Sequence, residues 1–218
     1  MELFTLIQRL REAPQEFLEV VSPLYLNALL DGYGSVDSRI LHAMRVVDDP
    51  VSLSPWPLGP VASLDACSRV YLVEPDLRRG VAVLLEKFEE VLRSSPGKDP
   101  IFGGFAGRRF VDLVADVIKQ GRPGMLFGEL TPSSMFHYSM GFNLASEEFD
   151  PAAAKSEREQ LERFAWWLSR LNGWEICVPW HRMIRVYEGA WREGLEAFVR
   201  LWDRFLLSPE EAARRTPP

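Results

Sequence analysis

From Ile184 onward the large apolar residues fall at intervals of three or four: Ile184, Tyr187, Trp191, Leu195, Phe198, Trp202 and Phe205. Only a helix gathers residues so spaced onto one stripe, because a strand would scatter them over both faces. Arg185, Arg192, Glu193, Glu196, Arg200 and Asp203 fill the intervals, so the stripe faces a core and the remainder faces water. The pattern predicts one helix of about seven turns, from about Trp180 to Leu207. Such an element must be covered by other apolar faces, which makes the rest of the chain a search for helices.

They are easily found. Leu3, Leu6, Ile7 and Leu10 make one short helical face, and Phe17, Val20, Val21 and Leu24 continue it after Pro14, with Pro23 expected to kink or end the segment. From Pro75, the residues Leu77, Val81, Leu84, Leu85, Phe88, Val91 and Leu92 line a long face that "SSPG" stops. Phe110, Leu113, Val114, Val117 and Ile118 mark another helix. A segment from Thr131 to Ser146 follows, with Thr131 as cap and Pro132 in the first turn. Ser156 to Leu171 is helical as well, burying Leu161, Phe164, Leu168 and Leu171.

The breaks are equally legible. "DGYGS" at 31–35 reads as a turn, since its glycines accept positive φ. Residues 48–60, "DDPVSLSPWPLGP", carry four prolines and exclude a regular helix or a central strand. Residues 61–74 are ambiguous: Val70, Leu72 and Val73 suit a strand, whereas Leu64, Cys67 and Tyr71 suit a helix. The expected fold is therefore mainly α: a single helical domain over 1–207, with a proline-rich crossing loop at 48–60 and a frayed tail at 208–218. An α+β variant, with a small minor sheet from residues 68–74 and 174–178, is the alternative.

Charge and composition narrow the functional classes. A chain of 218 residues buries enough surface to need no staples. Its two cysteines, Cys67 and Cys177, cannot form a disulfide framework and fit a reducing compartment. The start "MELFTLIQRLREAP" lacks the uninterrupted apolar core of a signal peptide, and no apolar run approaches the ~18 residues of a membrane span. A cytoplasmic location and no membrane partner are the expectation. The net charge of −6 argues against nucleic acid, which demands a concentrated basic face. Only four of the 25 basic residues are lysine, and this arginine excess fits the codon bias of a GC-rich bacterium better than a set of phosphate clamps.

Few residues invite catalysis. Cys177 lies four residues before His181, the spacing of a thiol and its base on a helix, but Pro179 intervenes and forces the preceding backbone towards extended geometry. "FHYSMGF" at 136–142 echoes the end of a nucleophile elbow around Ser139, and Ser139, Asp150 and His181 follow the chain order of such a triad. His137 stands where that motif wants glycine, and no alternation of strands and helices surrounds it. These four residues, Ser139, Asp150, Cys177 and His181, are the candidates for a hydrolase. His42, His137 and His181 are isolated, with no metal-ligand spacing, so neither a metal nor a cofactor is expected. Arg108 and Arg109, at the start of a helix after "GGFAG", are a weak candidate for anion binding.

The most unusual feature is tryptophan. Trp166, Trp167, Trp174, Trp180, Trp191 and Trp202 crowd the last quarter of the chain. Their crowding fits a dense aromatic core, but adjacent residues such as Trp166 and Trp167 cannot both face one core, and exposed tryptophan is a mark of contact surfaces or a dimer seam. The candidate binding residues are Trp166, Trp167, Trp174, Trp180 and Trp191. The expected function is a non-enzymatic protein-binding module, with an immunity or antitoxin-type inhibitor that masks a basic protein partner as the concrete version. A homodimer, a hydrolase of low motif visibility and a helical small-molecule binder are the alternatives.

Overall fold

The stripe Leu3, Leu6, Ile7 and Leu10 is buried along its whole length, on a first helix, α1, that runs Leu3–Glu12. The computed structural model describes residues 2–48, 65–94, 105, 107–121, 131–189 and 192–211. Among these every regular element is helical. A short 3-10 helix, Pro14–Glu16, follows α1, and then come α2 (Pro23–Val36), α3 (Ser38–Val47), α4 (Ala66–Val73) and α5 (Leu77–Ser94). The chain continues with α6 (Phe110–Lys119), α7 (Pro132–Phe149), α8 (Pro151–Leu171), α9 (Trp180–Tyr187) and α10 (Arg192–Leu206). The mainly α class expected from the spacing is what forms.

The minor sheet is not formed. Residues 66–73 become α4 because two carboxylates take up the donors of its first turn. Asp65 accepts from the Ser68 backbone N–H at 2.8 Å and from its hydroxyl at 2.6 Å, and Asp48 accepts the Ala66 N–H at 2.7 Å. Cys67 and Val70 then point inward while Leu72 is exposed, the helical choice of faces. Residues 174–178 adopt irregular backbone, with no strand.

Three further expectations are corrected. Pro23 does not kink a helix: it opens α2, with the Ser22 hydroxyl accepting the Leu24 N–H at 3.3 Å. A proline belongs there because its missing N–H would have had no intrahelical partner. "DGYGS" is not a turn but lies inside α2, where Gly32 and Gly34 are fully helical. The long terminal helix is two helices, α9 and α10, because Gly189 adopts φ +117°, a conformation that ends α9 and that side chains resist. Of the proline-rich loop, Asp48 caps the end of α3, and residues 49–60 lie outside the described residues.

The chain divides into two compact units, each assembled from two stretches of sequence: Met1–Arg108 with His137–Ala154, and Arg109–Phe136 with Lys155–Pro218. In the first unit α2 packs against α3, α4 and α5, and α1 lies on α5. The second half of α7 meets α2 backbone to backbone. A methyl on Gly32 would overlap the carbonyl oxygen of Tyr138, and a methyl on Gly141 would overlap that of Leu29. In the second unit α10 packs on α9 and α6. Its centre is aromatic: the Phe164 ring has Phe198 at 5.5 Å, Trp202 at 5.1 Å and Phe205 at 5.6 Å. Residues 209–211 form one more helical turn, held by the buried Glu211, which accepts from Arg163 at 3.1 Å and from Gln160 at 3.1 Å. The stretch expected to fray from 208 is therefore anchored through 211, and residues 212–218 lie outside the described residues.

Candidate functional site

The four hydrolase candidates sit in four different surroundings. Ser139 is buried in the middle of α7, where its backbone carbonyl accepts from the Asn143 carboxamide at 2.9 Å, and an elbow between strand and helix is absent. Asp150 is exposed and caps α8, its carboxylate accepting the Ala153 N–H at 3.0 Å. His181 is buried with its ring stacked on Phe136, centroids 4.0 Å apart. Cys177 is exposed, on the irregular approach to α9. Desolvation and the nearby Glu162 push its thiol up from the ordinary value. An activated nucleophile needs the opposite shift. Iodoacetamide is thus expected to label native Cys177 at or below the rate of the unfolded chain, and buried Cys67 only on unfolding. Faster native labelling of Cys177 would revive the thiol reading.

His137 also has a structural post. Its Nε2 accepts the Glu19 backbone N–H at 3.1 Å, and its ring stacks on Tyr25 at 4.3 Å. A ring nitrogen that accepts carries no proton, so this imidazole keeps its hydrogen on Nδ1. No group of three or more His, Cys, Asp or Glu able to hold a metal ion occurs among the described residues.

The expected anion site is filled from within. Glu157 reaches from α8 to the start of α6, where it accepts from the backbone N–H groups of Phe110 and Val111, the latter at 3.3 Å. Arg109 donates to the Gln160 side chain at 2.5 Å. The positive end of α6 therefore already holds a carboxylate, as helix geometry favours. The "GGFAG" signal marks a real helix start whose anion lies 46 residues further along the chain.

The tryptophans separate into two groups. Trp180 and Trp202 are buried, and Trp167 is half-buried with Phe205 at 6.0 Å and the Arg204 guanidinium over its ring at 6.0 Å. Trp166, its neighbour in sequence and about 100° further round the same helix, is 46% exposed. Trp174 donates its indole N–H to the Tyr187 hydroxyl at 2.5 Å, with the two rings edge to face at 6.0 Å. Trp191 lies outside the described residues.

Near the Trp174–Tyr187 pair several apolar side chains are exposed. Leu171 is 47% exposed, Ile176 67% and Tyr187 48%. Leu171 and Tyr187 flank a cleft of about 50 Å³ floored by Leu168, Met183, Ile184 and Leu201. Arg182 and Arg185 are exposed on the same short helix. Single exposed hydrophobics are normal on a protein surface, and several exposed close together are a contact signature. No protein family, curated protein or solved structure matches this chain. The reading of the site therefore rests on its own chemistry.

One constellation escaped the sequence. In the first unit Asp31 accepts from the Asn27 carboxamide at 3.0 Å, and its backbone carbonyl accepts the Ser35 hydroxyl at 2.9 Å. That hydroxyl in turn meets the Tyr138 hydroxyl at 2.5 Å. Desolvation, then the nearby carboxylates of Asp65 and Asp48, raise the Asp31 carboxyl from 3.8 to about 7. Its only sequence signal was an acid inside "DGYGS", where the turn reading concealed a helix.

Proposed function

We propose that this chain is a non-enzymatic protein-binding module whose contact surface is the apolar group Leu171, Trp174, Ile176 and Tyr187. The observation that carries this reading is the exposure of Leu171, Ile176 and Tyr187 beside a half-buried Trp174 whose indole is hydrogen-bonded to Tyr187. Aromatic anchors of this kind supply contact area at low entropic cost, and Trp, Tyr and Arg dominate the energetics of interfaces. Arg182 and Arg185 add two such residues beside them.

The geometry favours an apolar anchor over pure electrostatic steering. A masking inhibitor of a basic partner, in the manner of an immunity protein, draws on the net charge of −6. The charges beside the patch are instead mixed, Glu175 and Glu188 with Arg182 and Arg185. The cleft itself, about 50 Å³, falls well below the ~300 Å³ of ordinary ligand sites, which speaks against a small molecule there.

Capture of partners from the native lysate tests the proposal, with Ile176→Asp and Tyr187→Ser measured against the wild type. The wild type should retain one stoichiometric protein partner. Each variant should lose it at least tenfold while the melting temperature moves by less than about 3 °C, because both sites are already exposed. Equal capture by wild type and variants would refute the surface. Loss of the partner between about 0.05 and 0.5 M salt would favour the charge-steered version, and salt-insensitive capture the apolar one.

A further inference from the structure

The hydrogen bond from the Trp174 indole to the Tyr187 hydroxyl, 2.5 Å long, ties the irregular stretch after α8 to the end of α9. Two unlike flanks border this tie. On the loop flank Glu175 and Ile176 follow Trp174, and both are exposed. On the helix flank Arg185 and Val186 precede Tyr187, and both are exposed, Val186 by 63%. Each flank thus presents one charged and one aliphatic side chain, and the charges are opposite. Neither the Glu175 carboxylate nor the Arg185 guanidinium has a hydrogen-bond or ion-pair partner among the described residues. The next acid along, Glu188, is by contrast taken up by Arg200 at 2.5 Å.

We propose that the partner of this surface is a second copy of the chain, docked about a two-fold axis beside the Trp174–Tyr187 pair. The inference rests on the reading of the surface as a protein contact and names its occupant. In a two-fold interface residue i meets residue j of the other copy and j meets i, so a patch pairs with itself only when its halves are complementary. These halves are. The rotation lays the loop flank of one copy on the helix flank of the other, with Ile176 against Val186 and Glu175 against Arg185, and makes each contact twice.

Charge favours a second copy over a partner of one sign. An acidic partner would set like charge against Glu175, and a basic one against Arg185, whereas a copy of the same patch satisfies both. The net charge of −6 makes two copies repel at a distance, so their contact must be locally neutral, and one unpaired acid with one unpaired base makes it so. The apolar part of the contact, Leu171, Ile176, Val186 and Tyr187, is small. Small interfaces are weak, and the dissociation constant expected here is on the order of 10 µM.

Sedimentation velocity of the full chain, from about 1 to 300 µM, tests the proposal. A thiol reductant keeps the exposed Cys177 from linking copies covalently. The wild type should pass from monomer to dimer over this range, and Ile176→Asp should stay monomeric. Glu175→Arg and Arg185→Glu should each weaken the dimer at least tenfold, since each sets like charges opposite one another twice. The double exchange should bring it back to within about threefold of the wild type. A wild type that is monomeric at about 300 µM overturns the proposal. So does a dimer that Ile176→Asp leaves intact, or a double exchange no tighter than the single ones. Lysate capture separates this failure from failure of the surface itself. A monomeric chain that holds a different protein through Ile176 loses the second copy and keeps the surface, and a monomeric chain that holds nothing loses both.

Discussion

Gly141→Ala should remove about 3 kcal/mol or more of stability, enough to leave little folded protein in a domain of ordinary stability, and Gly32→Ala should do nearly the same. The reason is where α2 and the later part of α7 touch. A methyl added at position 141 would overlap the Leu29 carbonyl oxygen and stand 2.8 Å from the Tyr33 nitrogen, and one added at position 32 would overlap the Tyr138 carbonyl. These are backbone atoms of helices, so no side chain can rotate away. The helices must move apart, and Tyr33, Tyr138 and Phe142, each at most 1% exposed, would lose their packing. Gly173→Ala is the contrast: Gly173 has φ +72° with no atom near its missing Cβ. Its substitution should cost only about 1 kcal/mol of backbone strain. Urea midpoints of the three variants check this ordering, and a Gly141→Ala protein within about 1 kcal/mol of wild type would show the crossing to be looser than described.

Phe164→Ala should cost about 3–5 kcal/mol, the largest effect expected from a single side chain in the second unit. Its ring is fully buried and is surrounded by Trp167, Phe198, Trp202 and Phe205 at centroid distances of 5.1 to 6.1 Å. Removing it leaves a void bounded by rigid rings that cannot collapse inward cheaply. At this chain length the melting temperature should fall by roughly 10 °C. Trp166→Ala, two residues away but 46% exposed, should change stability by less than about 0.5 kcal/mol. Thermal melts of the two variants distinguish core from surface within one helix. Equal losses would mean that Trp166 is covered.

Most helices were legible because their buried faces keep the 3.6-residue period, as Leu3, Leu6, Ile7 and Leu10 do. What failed was glycine. In "DGYGS" a glycine looks like a licence for positive φ, yet Gly32 is there because another backbone occupies the space of its side chain. The same cause produced the misleading serine motif: Gly141 follows Ser139 by two residues because a helix crosses there, not because a nucleophile needs a tight turn. Close approach is a long-range property that no local window contains. The break at Gly189 was missed for the complementary reason, since the apolar spacing from Ile184 to Phe205 runs through it without interruption. At the site, the exposure of Trp166 could be argued from its neighbour Trp167. The roles of Glu157 and Asp31 depend on partners distant in sequence or on burial, and were invisible.

The interleaving of the two units bears on how the chain is made. Synthesis runs from the amino terminus, so Met1 to Arg108 leave the ribosome well before His137 to Ala154, which belong to the same unit. At about 5–20 residues per second this leaves a wait of seconds. During that interval the nascent α2 shows an uncovered groove at Gly32, the place where α7 will lie. A chain that stops before residue 141 would leave that surface without its cover.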